Sequence, residues 1–236
     1  MVLSRFSFFI TAIVVYLISA CADMRSKEEN VADIAKSADQ ENINTDKDTV
    51  VFKDLVRTYE DPERGVWQNP DLIIEKFGIL SGKTVADVGA GTGYFSFKLA
   101  SKGADVIAID IEEQFLDYIA ERQQELVNLS GKISTRLSVP NDPLLKEQEV
   151  DFILIVNTYH FLEERLSYLS RLRKGLKADG KIIIVDFKTG KQPVGPLEEF
   201  KIAKEIVEQE LNQVGFMQIQ SDEEALKYQF IITAKK

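Results

Sequence analysis

Residues 84–95 of this 236-residue chain read Thr-Val-Ala-Asp-Val-Gly-Ala-Gly-Thr-Gly-Tyr-Phe, an apolar run that ends in three glycines at alternate positions. The run is typical of a buried strand, and helical spacing resumes after it, so the stretch predicts a strand, a glycine-rich turn and a helix. Glycine adopts positive φ and lets another molecule lie against the backbone, while the first turn of a helix offers unpaired N–H donors. We therefore expect this turn to hold a ligand.

The spacing of the glycines indicates the kind of ligand. The dinucleotide fingerprint G-x-G-x-x-G places its third glycine three residues after the second. Counted from Gly91, that position falls on Tyr94, whose side chain would crowd a pyrophosphate, whereas Asp87 followed by Gly89, Gly91 and Gly93 gives D-x-G-x-G-x-G. This pattern resembles motif I of the class I S-adenosylmethionine-dependent methyltransferases. The resemblance implies that these four residues bind S-adenosylmethionine, with a ligand-free tight turn as the open alternative.

A second apolar stretch, residues 104–110, ends on a carboxylate. Asp110 lies 17 residues after Gly93, near the interval at which βαβ units place the acid that binds a ribose. A carboxylate accepts hydrogen bonds from both ribose hydroxyls, which neutral side chains do less well. The alternative is that Asp110 caps the helix that follows it. With the glycine motif in register, we favour the ribose interpretation.

Composition limits the remaining classes of function. A hydrophobic content of 44% over 236 residues allows one sizeable domain with appendages. A net charge of −9 argues against a nucleic-acid partner, because phosphate backbones are held by clustered Lys and Arg. One cysteine and one histidine exclude a disulfide framework within the chain, and we predict no metal site.

Residues 1–21 are predicted to be a targeting segment, with Arg5 ahead of an apolar run that is too short to span a bilayer comfortably. The ending Ile18-Ser-Ala-Cys21 resembles a bacterial lipobox, which implies lipidation of Cys21 and a membrane-anchored protein on the periplasmic side of the envelope, with the outer membrane favoured. Residues 22–49 are polar and are predicted to be a disordered tether, and residues 50–236 form the domain. The alternative is a cytoplasmic domain behind an uncleaved N-terminal anchor.

Within the domain, apolar strands alternate with amphipathic helices. Such strands need a sheet that is covered on both faces. The strands are predicted at residues 84–88, 104–110, 132–137, 150–156, 181–187, 216–221 and 227–234. The turn between the last two strands is too short for a helical crossover, so the last strand must run antiparallel. We predict an α/β, Rossmann-like, seven-stranded sheet with six parallel strands, which is the arrangement that the methyltransferase resemblance implies over about residues 61–236.

Two segments outside the regular strands carry further predictions. Residues 61–70 are predicted to be a loop, ended by Asn69 as a helix cap with Pro70 in the first turn. The methyltransferase resemblance implies that this loop lies across the cofactor and the acceptor. A leucine stripe between residues 162 and 176 predicts a helix that Asp179-Gly180 ends.

Open α/β sheets bind ligands beyond the carboxyl ends of their strands, so candidate site residues are sought there. The cofactor candidates are Asp87, Gly89, Gly91, Gly93, Asp110, Asn141 and Asp142, the last two at the adenine or as ordinary turn residues. The acceptor and catalytic candidates after the fourth strand are Asn157, Tyr159 and His160. The candidates ahead of the first strand are Arg64, Trp67 and Gln68, as lid or substrate residues, with ordinary packing as the alternative for Trp67.

Methyl transfer is an in-line displacement in which positioning and exclusion of water matter most. His160, the single histidine, is a candidate general base for a hydroxyl acceptor or else a packed residue. We predict a lipid-anchored methyltransferase that uses S-adenosylmethionine and a small-molecule or lipid-like acceptor. The alternative is a non-catalytic envelope lipoprotein that keeps the fold to bind a nucleoside-like ligand or a protein, since an exported enzyme lacks an obvious source of the methyl donor. A nicotinamide oxidoreductase is disfavoured by the glycine spacing.

Overall fold

The computed structural model describes residues 40–126 and 129–236. The α-helices are α1 Gln40–Tyr59, α2 Pro62–Gln68, α3 Pro70–Glu75, α4 Tyr94–Ser101, α5 Glu113–Glu125, α6 Arg165–Gly175 and α7 Lys204–Gln213. The strands are β1 Thr84–Val88, β2 Asp105–Asp110, β3 Ile133–Leu137, β4 Val150–Val156, β5 Leu176–Phe187, β6 Met217–Asp222 and β7 Gln229–Lys235. Two short 3₁₀ helices cover Tyr159–Phe161 and Glu198–Phe200.

The seven strands form one sheet in the order β3-β2-β1-β4-β5-β7-β6. Pairing is parallel from β3 through β5, whereas β7 runs antiparallel to both of its neighbours, β5 and β6. Because β6 and β7 are joined by a short turn, no helix can return the chain for a parallel pairing. The predicted sheet, with six parallel strands and an antiparallel last strand, is confirmed.

Helices cover both faces of the sheet, and each face has its own apolar cluster. On one face, Ile73 of α3, Leu99 of α4 and Ile119 of α5 pack on the sheet. On the other face, Leu169 of α6 and Leu211 of α7 do the same. Side chains alternate between the two faces along each strand, so central strands such as β4 are apolar at almost every position, as the sequence predicted.

Three local predictions need correction. Helix α1 begins at Gln40, so the disordered tether predicted for residues 22–49 does not hold for 40–49, which extend the helix of residues 50–59 although Asn, Asp and Thr are weak helix formers. The loop predicted at 61–70 is largely helix α2, because Asp61 caps it by accepting a 2.8 Å hydrogen bond from Glu63 N, and Pro62 fits the first turn. Asn69 caps α3 as predicted.

The third correction concerns the leucine stripe. Helix α6 ends at Gly175, before Asp179-Gly180, and β5 already begins at the fully buried Leu176. The β4–β5 register shifts between the pairs Val150–Leu176 and Phe152–Lys181. The residues between these two pairs therefore interrupt the regular pairing of β4 with β5.

The targeting segment, Cys21 and the tether up to residue 39 lie outside the described residues. Among the helices of residues 40–126 and 129–236, none is long and apolar enough to cross a bilayer.

Candidate active site

The glycine-rich turn lies where β1 ends, between β2 on one side and β4 on the other. Because the chain leaves β1 for β2 and β3 and then crosses to β4, the strand order reverses at this point. In open α/β sheets such a reversal opens a crevice at the carboxyl ends of the strands. The ends of β1, β2, β4 and β5 therefore define the candidate site.

The three glycines of the turn all have positive φ, between 52° and 77°, but they meet different surroundings. A Cβ at Gly89 would collide with the side chain of Thr158, and a Cβ at Gly93 would lie 2.9 Å from Cγ1 of Ile119. Both glycines are therefore needed for close packing inside the protein. A Cβ at Gly91 would instead lie 3.3 Å from the Tyr59 ring of helix α1, so Gly91 faces the segment that covers the turn.

Asp110, at the end of β2, is buried and holds the turn in place. Its Oδ2 accepts a 2.8 Å hydrogen bond from Gly91 N, and its Oδ1 accepts hydrogen bonds from Ile111 N at 2.8 Å and Glu112 N at 3.1 Å. A carboxylate offers about four acceptor positions, so Oδ2 keeps one that these backbone contacts do not use. The contacts to Ile111 N and Glu112 N support the capping interpretation, because they order the backbone that leads into α5, and contact with a ribose stays a prediction for Asp110. Burial raises the pKa of the Asp110 carboxyl above its usual value.

Asp87 lies within β1 and is almost fully buried. Its Oδ2 accepts a 2.7 Å hydrogen bond from Ser96 Oγ of helix α4. Burial raises the pKa of the Asp87 carboxyl to about 6, although the Ser96 hydrogen bond and the positive charge of Arg64 lower it. Within the described part of the chain neither Asp87 nor Asp110 forms a salt bridge. The ends of β1 and β2 therefore bring two buried carboxyl groups together, with the positive charge of Arg64 near Asp87.

The segment from Tyr59 to Gln68 covers the glycine turn, and we call it the cover segment. The Tyr59 ring stacks on Phe115 of α5 at 5.7 Å between centroids, and burial together with the Asp110 charge raises the pKa of the Tyr59 hydroxyl to about 12. Glu60 accepts a 2.6 Å hydrogen bond from Thr92 Oγ1 and pairs with Arg122 at 2.9 Å. These contacts hold the end of α1 over the turn.

Arg64 joins the cover segment to a chain of buried amides. Its Nε donates to Gln68 Oε1 at 2.7 Å, Gln68 Nε2 donates to Gln229 Oε1 at 3.0 Å, and Gln229 Nε2 donates to Asn157 Oδ1. A guanidinium has donors only, so Gln68 must turn its side-chain oxygen toward Arg64. This fixes which end of each following amide donates and which accepts. The Asn157 amide is therefore oriented with Oδ1 toward the protein, and Asn157 itself adopts φ 56°, a conformation that asparagine tolerates better than most residues.

Beyond Asn157, the chain is fixed against both the glycine turn and β5. Thr158 packs on Gly89, and Thr158 Oγ1 donates to Val156 O at 3.0 Å. His160 Nδ1 lies 2.9 Å and 3.0 Å from the two carboxylate oxygens of Asp186, at the end of β5. His160 N also donates to Asp186 Oδ2 at 3.2 Å. The structure thus pairs the single histidine with a strand-end carboxylate.

Tyr159 takes a different place from the one predicted. Its side chain is fully buried, and its hydroxyl donates to Glu210 of α7, which Arg165 also contacts. Burial and the Glu210 carboxylate raise the pKa of the Tyr159 hydroxyl. Because this side chain packs into the layer of helices α6 and α7, the placement argues against the predicted catalytic role.

The remaining predicted residues have mainly structural contacts. Trp67 is half-buried against Phe187 and Tyr228, at 5.9 Å and 6.4 Å between centroids. Asp142 accepts a 2.8 Å hydrogen bond from Leu144 N and lies 3.5 Å from Arg171, and Asn141 is exposed in the same turn. These contacts favour the turn interpretation for Asn141 and Asp142, and contact with adenine stays a prediction for both.

Four residues of the site were not among the sequence candidates: Tyr59, Ser96, Asp186 and Gln229. Asp186 had a usable signal, because it ends a predicted strand at the edge where ligands bind. Gln229 is a polar residue that opens an otherwise apolar strand, and only the tertiary structure shows its partners. Among the described residues no group of three or more His, Cys, Asp or Glu side chains is arranged to hold a metal ion.

The strands that carry the site are similar to those of known proteins. Residues 86–182 match the family model described as a methyltransferase domain. A crystal structure of a SAM-dependent methyltransferase from Aquifex aeolicus is 30% identical, superposes with a TM-score of 0.69, and aligns with 76% of this chain and 96% of that chain.

Two curated relatives match shorter regions. Demethylmenaquinone methyltransferase from Tropheryma whipplei is 27% identical over 119 residues, which is 50% of this chain and 48% of the relative. Magnesium-protoporphyrin O-methyltransferase from Rhodobacter capsulatus is 35% identical over 79 residues, or 34% of each chain. This chain thus spans half or less of these curated relatives, whereas it covers almost all of the Aquifex protein.

Proposed function

The chain belongs to the S-adenosylmethionine-dependent methyltransferases, and from this premise we propose that it transfers the methyl group of S-adenosylmethionine to a small-molecule or lipid-like acceptor. The observation that carries the proposal is the pairing of Gly91 with Asp110 in a crevice with two buried carboxylates. Two relatives are named for demethylmenaquinone and magnesium protoporphyrin, which supports an acceptor of small-molecule size.

The residues of the crevice fit the cofactor. Gly91 has no side chain at the point where the turn meets the cover segment, so its backbone offers a surface that a ligand could contact once the Tyr59 ring, 3.3 Å from the position of a Cβ, gives way. Asp110 retains an acceptor position for a ribose hydroxyl. The buried charge of Asp87 and Asp110 suits a cationic ligand, since an opposite charge offsets the cost of burying a carboxylate. When bound, S-adenosylmethionine supplies an electrophilic methyl group on a positively charged sulfur.

The chain's own residues would contribute orientation and exclusion of water. The cover segment closes over the turn through Tyr59 and Glu60, and it reaches the end of β4 through Gln68. Methyl transfer depends on holding the two reactants in line in a dry site. Arg64 and Gln68 are therefore assigned to the closed form of the site, and Asn157 to the side that faces the acceptor.

Binding of the cofactor is the first test. Titration calorimetry of the full chain is expected to show binding of S-adenosylhomocysteine in the micromolar range and weak or no binding of NAD. Tight NAD binding without a response to S-adenosylhomocysteine would move the protein to the oxidoreductases. Cofactor binding without turnover of any acceptor would favour a non-catalytic module that keeps the fold.

The location of the enzyme is a separate proposal. Residues 1–21 with Cys21 favour a lipid-anchored protein of a bacterial envelope, because several acyl chains on one residue hold a protein firmly to a membrane. We expect a mature chain that begins at Cys21 and fractionates with membranes, and Cys21→Ser is expected to release it or to block processing. Mass spectrometry of the N-terminal peptide tests this, and a full-length, unlipidated, cytosolic chain would refute it.

A further inference from the structure

One nitrogen of the His160 ring has no partner among the described residues. The side chain is 1% exposed, and Nε2 is buried without a hydrogen bond. Buried polar atoms in proteins are nearly always paired, so an exception needs an explanation. This exception lies at the carboxyl end of the sheet, where the ligand site is. A ligand atom is the simplest partner for it.

Asp186 determines what Nε2 can offer. An ionised carboxylate accepts hydrogen bonds and donates none, so the short contacts from Asp186 to Nδ1 place a hydrogen on Nδ1. In the neutral imidazole the other nitrogen then carries a lone pair and no hydrogen. Asp186 is itself held by His160 N and by Phe187 N, which donates to Oδ1 at 2.8 Å. In its neutral form the ring is therefore fixed with Nε2 as the acceptor nitrogen.

The histidine is also tied to the cofactor turn. Thr158, two residues earlier, fills the space where Gly89 lacks a side chain, and Asn157 N donates to Val185 O at 2.9 Å. The segment that carries His160 thus packs directly on the glycine turn on one side and on β5 on the other. A change in either contact would move the ring.

We propose that the acceptor is a hydroxyl compound, that Nε2 of His160 is the catalytic base that takes its proton, and that Asp186 is a positioning residue for the imidazole. The inference rests on the proposed function and names the acceptor class for it. The O–H bond breaks and its proton moves to Nε2. The oxygen then bonds the methyl carbon with the freed electron pair, while the carbon–sulfur bond breaks and leaves its electron pair on sulfur.

Other acceptor classes fit the site less well. A neutral amine already has a free lone pair, so its attack does not require a base beforehand. A carboxylate acceptor has no proton to lose, and it would approach the buried carboxylates Asp87, Asp110 and Asp186, which repel an anion. A neutral hydroxyl, by contrast, needs one hydrogen-bond acceptor that becomes a base, and general-base catalysis of this kind contributes about 10²–10⁴-fold to a rate.

The first test uses the fact that the chain contains one histidine, so its imidazole NMR signals need no assignment. In the full chain bound to S-adenosylhomocysteine, the long-range ¹H–¹⁵N pattern is expected to show neutral imidazole with hydrogen on Nδ1 and none on Nε2. Asp186→Asn should remove this preference, because an amide can donate as well as accept. A hydrogen on Nε2 of the neutral ring in the unmodified chain would overturn the proposal.

The second test compares acceptors that share one ring: a phenol, an aniline and a benzoate, each with labelled S-adenosylmethionine. Methylation of the phenol is expected to exceed the other two, and His160→Gln should lower it by about 10²-fold or more while S-adenosylhomocysteine affinity changes less than about twofold. Preference for the aniline or benzoate, or unchanged phenol methylation in His160→Gln, would overturn the proposal. If the unmodified chain does not bind S-adenosylhomocysteine, the proposed function itself is refuted.

Discussion

Gly91 N donates a 2.8 Å hydrogen bond to Oδ2 of Asp110. The backbone of Gly91, where a ligand would approach the turn, is therefore held in place by the carboxylate that would bind the ribose. The two halves of the candidate cofactor site, in the turn after β1 and at the end of β2, are thereby coupled. A ligand that contacts Asp110 meets a turn whose position is already set, and pre-organisation of this kind reduces the entropy lost on binding.

Asp110→Ala is expected to weaken S-adenosylhomocysteine binding by about 1–3 kcal/mol, the loss typical of hydrogen bonds to a charged group. The same change deprives three backbone N–H groups of their acceptor, so some loss of thermal stability should accompany it. Asp117→Ala, on the exposed face of α5, is the matched control and should leave both quantities unchanged. Calorimetry measures the affinity, and equal affinities for the two variants would refute the ribose assignment.

Gly91→Ala tests the approach of the ligand to the turn. A Cβ there would lie 3.3 Å from the Tyr59 ring and cover the backbone surface that a ligand would contact, so cofactor affinity should fall by about tenfold, or 1.4 kcal/mol. Gly91→Val should be worse, since a β-branched residue resists positive φ. Gly82→Ala is the control, because Gly82 also has positive φ but no atom lies within 4 Å of the position that a Cβ would take. Both alanine variants should lose stability, and only Gly91→Ala should lose affinity.

The raised pKa of the Asp87 carboxyl predicts how the stability of the protein depends on pH. Its pKa is raised to about 6 in the folded protein, so between about pH 4 and pH 6 the native state binds more protons than the unfolded state. The contribution of Asp87 to the free energy of unfolding is therefore present at low pH and is lost as pH rises through 6, by roughly 2–3 kcal/mol. Asp87→Asn, which can still accept from Ser96, should remove this fall. Urea unfolding at pH 4 and pH 7 measures it, and parallel curves for the two proteins would contradict it.

Much of the fold was predictable because β-strands in a covered parallel sheet leave a clear pattern of apolar residues. β1, β4 and the antiparallel β7 followed from apolar runs and from the length of one turn. The errors in the predicted helices and loops arose from local interactions that the apolar pattern does not show. A capping Asp61 with Pro62 makes a helix where a loop was predicted, and Leu176 belongs to the sheet although its spacing continues the stripe of α6.

The candidate site was predictable where function requires a particular residue type next to a strand end. The glycines, Asp110 and His160 were selected in this way, and the structure places all of them at the carboxyl ends of the strands, while their roles stay predictions. The partners that orient these residues come from distant parts of the chain, as Gln229 does for Asn157. Tyr159 shows where such prediction ends, because Thr158 packs on the glycine turn and His160 pairs with Asp186, whereas the Tyr159 side chain between them packs on α7.

The last prediction concerns the amide chain from Arg64 through Gln68 and Gln229 to Asn157. Gln68 and Gln229 are both fully buried, so each single change to Met leaves a buried polar group unpaired and should cost about 1–3 kcal/mol of stability. The double variant removes both polar groups together and should cost less than the sum of the two single changes, with an interaction energy of about 0.5–3 kcal/mol. Gln124→Met, on the exposed surface of α5, is the control for the substitution itself.

A coupling of this size would affect the candidate site, because the amide chain joins the cover segment to Asn157. Gln68→Met should raise hydrogen exchange in helix α2 and also in residues 157–160, although these segments are far apart in sequence. Gln124→Met should change neither. Additive stability effects, together with exchange that rises in α2 alone, would show that the amides are satisfied separately and that the cover segment closes without orienting Asn157.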